Sequence, residues 1–475
     1  MRQPLTSDRA DPDDDALGDA GHDGAVAPLH ATRPAVPPHP EQAGGFIAVL
    51  RRRDFRYLWG AQLLSQLADK FLMFTLLVFM YTLTKRASLQ SVLMIAYTLP
   101  SVLLSAPSGV YADRHDKRVL MVGCNLVRGG LILLIPIAQL IPVLRGQAWP
   151  LVVITLLFSS AGQIFAPAEA ASIPSLVTRK QITEATSLFM TTVILTLVLG
   201  VPAATIAIGL FGNQAPFYIA TGLFGLAALS VWKVGVSLRA QRVTTGPSPN
   251  ILRELRDGIA ILRGSPPLRL GLYQLALAIV VVFTIFALGP VYLVEVLKRS
   301  DNETYIVLVP AMFGLIATGS LLGQRPTLSR ATTLVAAIAT AGVSLLIMGV
   351  VPDLLRTHGA AGLMVPLAVA VGVMFGCALG ALLIPAFTVL QERTNSESRG
   401  RIFGGIFTVI NAAVAIPLLL AGVVSDLIGV ARVVAALGVL LILTAVAVRW
   451  FGWTRLRVLE RDPPISEVLG SITAE

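Results

Sequence analysis

The chain has 475 residues, of which 55% are apolar and only 13% charged, with a mean hydropathy of +0.76. So little charge cannot cover the surface of soluble domains, so the composition excludes them and indicates a polytopic membrane protein. The formal net charge of +10 then carries no implication of nucleic-acid binding, because cations gather at the cytoplasmic ends of spans.

Residues 1–45 are rich in Asp, Pro, Gly and Ala and lack aliphatic clusters. Such a segment cannot bury enough surface to offset its ordering entropy, so a disordered tail is expected, with its boundary placed at residue 50. It is acidic and has no apolar centre, which excludes a signal peptide. His22, His30 and His39 are too scattered for a metal site, and no metal or other cofactor is expected.

After the Arg51–Arg53 and Arg56 cluster, apolar runs fall near 57–83, 89–111, 119–143, 149–175, 184–211 and 214–236. A second set falls near 270–296, 304–324, 331–355, 360–390, 401–427 and 429–452. About 20 apolar residues span a bilayer as a helix, so twelve spans are predicted. The expected organisation is an all-α membrane protein with a tail (1–50), a six-helix bundle (51–236), a linker (237–268), a second six-helix bundle (269–452) and a carboxy-terminal tail (453–475). Within the linker, Leu252, Leu255, Ile259 and Leu262 recur at helical spacing opposite charged residues. This predicts an amphipathic helix lying on the inner membrane surface.

An internal repeat supports the division. Pro167-Ala168, a basic turn, Pro202 and Gly212 recur as Pro385-Ala386, a basic turn, Pro417 and Gly429. Duplicated six-helix units are a transporter architecture. Most Lys and Arg outside the spans fall in turns on one side, which predicts both termini in the cytoplasm of a multi-pass protein of the cell membrane. Cys124 and Cys377 lie in separate apolar runs and read as small apolar residues. Pro202 and Pro417 predict kinks, and Gly376 to Gly380 a close-packing face.

Ionisable residues deep in a span are costly, so each is a functional candidate. Asp69 lies twelve residues beyond Tyr57, roughly 18 Å in at 1.5 Å per residue, near the midplane. Gln62, Gln66, Asp69 and Met73 form one stripe at i, i+4, i+7 and i+11. Asp69 is a candidate for proton coupling or substrate contact; the alternative is a structural ion pair with Arg128, at comparable depth in the third span. Lys70 points about 100° away from Asp69 on the helix. It is expected to reach a backbone carbonyl or a second carboxylate, or to act as a cavity cation for an anionic substrate. Glu169 follows Pro167, which frees a helical carbonyl. It is read either as a proton relay or as a partner for a loop arginine. Gln163 lies about 120° round that helix and serves a different surface. Tyr273, Gln274 and Thr284 in the seventh span are candidates for lining a cavity.

The ten-residue turn Gly109-Val110-Tyr111-Ala112-Asp113-Arg114-His115-Asp116-Lys117-Arg118 resembles the loop between helices 2 and 3 of the major facilitator superfamily, roughly G-x-x-x-D-R-x-x-R-R/K. Its counterpart in the second half, Gly323 to Arg330, lacks the aspartate. Phe55-Arg56-Tyr57-Leu58-Trp59 through Asp69 is similar to helix 1 of the macrolide-efflux and siderophore-export branch. Phe165 to Val177 and Gln391 to Phe403 resemble that branch's fourth helix and its helix 10–11 turn.

The resemblance implies the major facilitator fold, with helix 1 lining a central cavity, and secondary-active efflux coupled to proton entry. The expected partners are the lipid bilayer, a small amphipathic substrate and protons, with the chain acting as a monomer. It further implies that Gly109, Asp113, Arg114 and Arg118 gate the transporter. In this picture Gly109 permits close helix approach, and Asp113 meets the amino end of helix 11 near Ser398-Arg399-Gly400. No phosphate-binding loop, H-E-x-x-H or G-x-S-x-G occurs, so no catalytic residues are assigned. Two alternatives stand beside efflux: a lipid or lysolipid flippase of the same fold, and a transport-inactive membrane sensor or scaffold.

Overall fold

A computed structural model describes residues 46–178, 181–238, 266–300, 303, 305–324, 329–392 and 399–452. The long apolar runs fold as twelve helices: α1 (Arg53–Thr84), α2 (Ala87–Arg114), α3 (Lys117–Leu140), α4 (Trp149–Leu176), α5 (Ile182–Phe211), α6 (Ala215–Trp232), α7 (Pro266–Glu295), α8 (Tyr305–Gln324), α9 (Arg330–Thr357), α10 (Met364–Glu392), α11 (Arg399–Ile428) and α12 (Val430–Ala447). Backbone groups in hydrocarbon have no water to bond, so each run satisfies its own N–H and C=O groups as a helix. Eleven helices among the described residues are long and apolar enough to cross a membrane; α5 adds the shorter apolar stretch Leu199–Phe211. Large apolar side chains such as Leu140, Leu210, Leu427 and Trp450 stay exposed on this outer surface, as a lipid-facing protein requires.

The tail boundary needs correction. Phe46–Leu50 is a short helix that packs on α1 and α5, with Val49 fully buried, so ordered structure begins before residue 50. Val49 and the half-buried Leu50 dock it, while Phe46 and Ile47 stay exposed. The tail before residue 46, the linker's amphipathic helix and the tail after residue 452 lie outside the described residues.

Helix pairing repeats after six helices. The contacts α1–α5, α1–α6, α2–α4, α3–α4 and α3–α6 recur as α7–α11, α7–α12, α8–α10, α9–α10 and α9–α12. The first six helices meet the second six chiefly through α2 and α11, with smaller contacts α2–α7, α5–α8 and α1–α7.

Helices approach closely where side chains are absent. A Cβ added at Gly376 on α10 would overlap the Ala311 carbonyl of α8, and one at Gly314 on α8 would overlap the Val373 carbonyl of α10. Gly342 and Gly438 do the same for α9 and α12. In a membrane such contacts replace the hydrophobic drive that water supplies elsewhere. Gly376→Ala should therefore destabilise the second six helices by about 1–3 kcal/mol, the usual overpacking range. A thermal unfolding midpoint in detergent several degrees below wild type is expected, whereas Gly123→Ala, with nothing within 4 Å of the added carbon, should show no drop. An unchanged midpoint for Gly376→Ala would mean that the close contact is absent.

Candidate functional site

The middle of α1 carries a buried polar network. On α3, Asn125 and Arg128 share a face at i, i+3 and turn towards Ser65 and Asp69, which share a face of α1 at i, i+4. Ser65 Oγ donates to Asn125 Oδ1 at 3.1 Å, and Arg128 Nη1 donates to Ser65 Oγ at 3.3 Å. The other guanidinium nitrogen, Nη2, forms an ion pair with Asp69 Oδ1. Asp69 Oδ2 accepts from Lys70 Nζ at 3.0 Å and from the Tyr97 hydroxyl of α2. Ser159 of α4 donates to the Tyr97 carbonyl, so a fourth helix braces the group.

Aromatic rings hold Arg128. Its Cζ lies 4.2 Å from the Phe158 ring centroid and 4.5 Å from that of Phe224. Such stacking suits a planar cation withdrawn from water. Gly162 of α4 leaves room beside the guanidinium, since an added Cβ would sit 3.5 Å from Arg128 Cζ.

The structure therefore contains the Asp69–Arg128 pair that depth alone allowed. It corrects the expectation for Lys70, whose flexible four-carbon stem bends back so that its ammonium joins the same carboxylate. The polar stripe also needs correction. Gln62 is buried and donates to the Phe189 carbonyl of α5 at 3.4 Å, and Met73 is packed in the apolar core. Partial exposure on this part of α1 falls on Leu63, Leu64, Gln66, Leu67, Asp69 and Lys70. The Lys70 side chain is 21% exposed against 13% for Asp69. A 3.6-residue period identifies residues sharing a face but not the neighbour that face meets, and here α3 and α5 cover the Asp69 and Gln62 sides.

Elsewhere, Glu169 is buried, and its Oε1 has no hydrogen-bond partner among the described residues. Gln163 is half-buried on the same helix. Gln274 is buried and donates to the Leu382 carbonyl of α10 at 2.8 Å, which ties α7 to α10. Thr284 is buried, whereas Tyr273 is exposed.

At the α2–α3 turn, Asp113 and Arg114 are exposed. Ser398 and the side chains of Arg399 and Gly400 lie outside the described structure. Gly109 is not a point of close approach in this arrangement, because a Cβ there would meet nothing within 4 Å. Arg118 is anchored rather than free to gate: it donates to the Trp232 carbonyl and lies 5.2 Å from that ring's centroid. Beside it, Asp116 caps α3 by accepting from the Arg118 and Val119 amides at 2.9 and 3.3 Å. Asp54 accepts from the Gly235 amide at 2.7 Å. These bonds gather the start of α1, the start of α3 and the end of α6.

Among the described residues, hydrogen bonds of Tyr81, Ala87 and Ser88 join the first six helices to the second six at the opposite end. The Tyr81 hydroxyl donates to Glu295 Oε1 at 3.2 Å. The Ala87 and Ser88 amides donate to Asp426 Oδ1 and Oδ2 at 2.7 and 3.1 Å. Sequence reading missed Asp426, and also Tyr97, Ser65 and Asn125. For Tyr97 the available signal was a hydroxyl at the depth of Asp69; for Asn125 it was the i, i+3 spacing to Arg128. Among the described residues no three His, Cys, Asp or Glu side chains gather where they could hold a metal ion.

Long apolar helices, eleven of them among the described residues long enough to cross a membrane, with a buried ionic cluster inside the first six, define a multi-pass membrane protein. The comparisons with known proteins agree. Residues 58–379 match the Major Facilitator Superfamily, and the chain belongs to that family; it is a bilayer-embedded transporter and not an enzyme. It is 25% identical over 404 residues to macrolide efflux protein A of Streptococcus pyogenes, covering 82% of this chain and 94% of that one. The Enterococcus faecalis protein of the same name is 25% identical over 332 residues, covering 67% and 96%. Among solved structures, a bacterial homologue of the human lysosomal transporter Spinster, inward-facing and unoccupied, superposes with a TM-score of 0.66 at 14% identity, covering 86% of this chain and 98% of that one. The nucleoside transporter NupG gives 0.65 at 13% identity, covering 86% and 100%. At these identities the structural likeness speaks for the fold alone.

Proposed function

We propose that this chain is a proton-coupled exporter of amphipathic small molecules in the cell membrane, working by alternating access between two six-helix halves (51–236 and 269–452). The observation that carries this reading is the placement of charge. Away from the helix ends, the charged side chains of the first six helices are Asp69, Lys70, Arg128 and Glu169, whereas the central stretches of α7 to α12 contain no Asp, Glu, Lys, Arg or His. One half thus carries the ionic chemistry and the other presents an apolar and neutral polar wall, a division suited to an amphipathic cargo. The relatives that export macrolides support efflux, and the repeated helix pairing supports the two halves. The positive-inside rule supports cytoplasmic termini. With that orientation, the Tyr81–Glu295 and Asp426 contacts close the outer side.

Within this reading the two carboxyl groups differ in role. Asp69 is the carboxylate paired with both Arg128 and Lys70, so protonating it would strand two cations in the membrane core. Glu169 has an unpartnered oxygen in a buried position, and it takes the proton-carrying role. Glu169→Gln should abolish uphill transport driven by an imposed pH gradient, a loss of at least about tenfold, since general acid–base groups commonly contribute 10²–10⁴. Substrate counterflow without a gradient should persist. Proteoliposomes holding the purified protein and a labelled amphipathic probe separate these activities. Proton-driven accumulation at the wild-type rate in Glu169→Gln would remove that residue from coupling.

A further inference from the structure

Two features not used above point to the chemical class of the cargo; the inference rests on the transporter reading and deepens it. The first is a charge imbalance. The network on α1 has one carboxylate, Asp69, against two cations, Lys70 and Arg128. Arg128 is enclosed by Phe158, Phe224 and Ser65. Lys70, the more exposed of the two cations, is the one an outside group can reach. An ammonium offers three donors; the hydrogen bond described for Lys70 goes to Asp69. A surplus cation at the middle of a span calls for a counter-ion.

The second feature is a chamber of about 150 Å³ inside the second six helices, lined by residues of α7, α8, α9, α10 and α12. Phe286, Met312, Met348 and Phe375 are among its walls. Its tyrosine, Tyr292, already donates its hydroxyl to the Met348 carbonyl at 2.7 Å, so the lining offers hydrocarbon and thioether surface. Apolar cavities of this size stay dry and accept apolar groups. Phe286, Leu308, Met312 and Leu383 line it and also pack against the apolar cluster that Ala68, Phe71 and Leu72 of α1 share with residues of α7, α10 and α11. Lys70 lies among those α1 residues in sequence, on the same turn of helix.

We infer that the transported substrate is an amphipathic anion, whose negative group pairs with Lys70 and whose hydrocarbon part enters the chamber between α7, α8 and α10. Electrostatics sets the sign of the head group, and the lining sets the nature of the tail. A cationic amphiphile would meet a like charge at Lys70 and gain only the chamber.

Two permanently charged probes with one tail test this: tritiated decanesulfonate and tritiated decyltrimethylammonium. Binding is measured on the purified full-length protein by scintillation proximity, and movement by counterflow in proteoliposomes. Decanesulfonate should bind saturably and more tightly than the cation. Lys70→Gln should weaken it about tenfold, the size of one charge-assisted bond, and Lys70→Arg should retain it. Gly289→Leu extends a side chain into the chamber, where an added Cβ meets nothing within 4 Å; it should weaken both probes. Thermal midpoints of the variants confirm folding. Equal or tighter binding of the cation, or sulfonate binding unchanged in Lys70→Gln, overturns the inference. So does saturable binding of a tritiated anionic lysolipid with no sulfonate binding, which would make a membrane lipid the occupant. Counterflow of the cation alone overturns the substrate class and leaves the transporter reading intact. Sulfonate binding as described, with no counterflow of either probe, supports the site and counts against the proposed export.

Discussion

Asp69→Asn should be the most damaging single substitution in the first six helices, and it should act on folding before transport. Removing the carboxylate leaves Arg128, whose side chain is 6% exposed, between two phenylalanine rings with no opposite charge. Breaking a buried ion pair from one side costs roughly 3–5 kcal/mol, a large share of the stability of an ordinary domain. Lys70 loses the same partner, and the Tyr97 hydroxyl loses its acceptor charge. Arg128→Gln should be milder, because Lys70 and Tyr97 still satisfy Asp69. The double variant Asp69→Asn/Arg128→Met removes the stranded charge and should recover part of the loss, as coupled neighbours do in a mutant cycle. Size-exclusion profiles and thermal midpoints of the solubilised proteins give the ranking. A wild-type midpoint for Asp69→Asn, or a double variant worse than the two single effects added, would show that the pair carries no such weight. Glu169→Gln, which strands no cation, should keep its midpoint while losing coupling; that contrast separates the two carboxyl groups.

The span pattern was legible because hydrocarbon imposes it on every residue of a run. Helix ends fell mostly within a few residues of the reading, and α1 and α7 began four residues before their apolar runs. The family resemblance was legible for a different reason: the α2–α3 turn and the entry to α1 keep short polar motifs that apolar patterning does not obscure. Depth made the Asp69–Arg128 pair one of two readings of Asp69, since two opposite charges near one level of a bilayer have few other ways to be neutralised. What surrounds a helix was not legible. Lys70 was assigned to another side of α1 from its Cβ direction, yet a side chain with four rotatable bonds can return to a carboxylate one residue away. Gln62 looked like a cavity residue until α5 supplied the Phe189 carbonyl. Tyr97 gave no periodic signal inside a long apolar run, although its hydroxyl reaches the centre of the network. Arg118 is assigned to gating because the motif contains it; the sequence does not show that its Nη2 donates to the Trp232 carbonyl at the end of α6. Neighbour identity is tertiary information, and a single sequence with a helical period does not contain it.

Neutralising Asp426 should shift the protein towards opening at the end opposite the Asp113 turn. Both carboxylate oxygens of Asp426 accept from the first amides of α2, where unpaired N–H groups and the helix dipole favour negative charge. Gly422, one turn earlier on α11, makes this possible: a Cβ there would collide with the Ser91 hydroxyl. Because Asp426 is exposed, solvent screening holds its contribution to about 0.5–1 kcal/mol, or roughly a two- to fivefold change in the ratio of closed to open forms. Asp426→Asn should produce that shift, and Gly422→Leu should add to it by wedging α2 from α11. Spin labels across the α2–α11 contact, or alkylation of single cysteines placed along it, measure the closed fraction. Equal accessibility in wild type and both variants would show that this contact does not hold the end shut. The arrangement also predicts a reciprocal partner. α2 and α11 form the main contact between the first six helices and the second six, and each ends in a turn or two with an aspartate: Asp113 closes α2 and Asp426 closes α11. In an antiparallel pair the end of α2 lies beside the start of α11, which makes Asp113 the counterpart of Asp426. A rocking motion that forms one cap separates the other. Asp113→Asn should therefore move the same closed fraction in the direction opposite to Asp426→Asn, and a shift in the same direction would break the reciprocity.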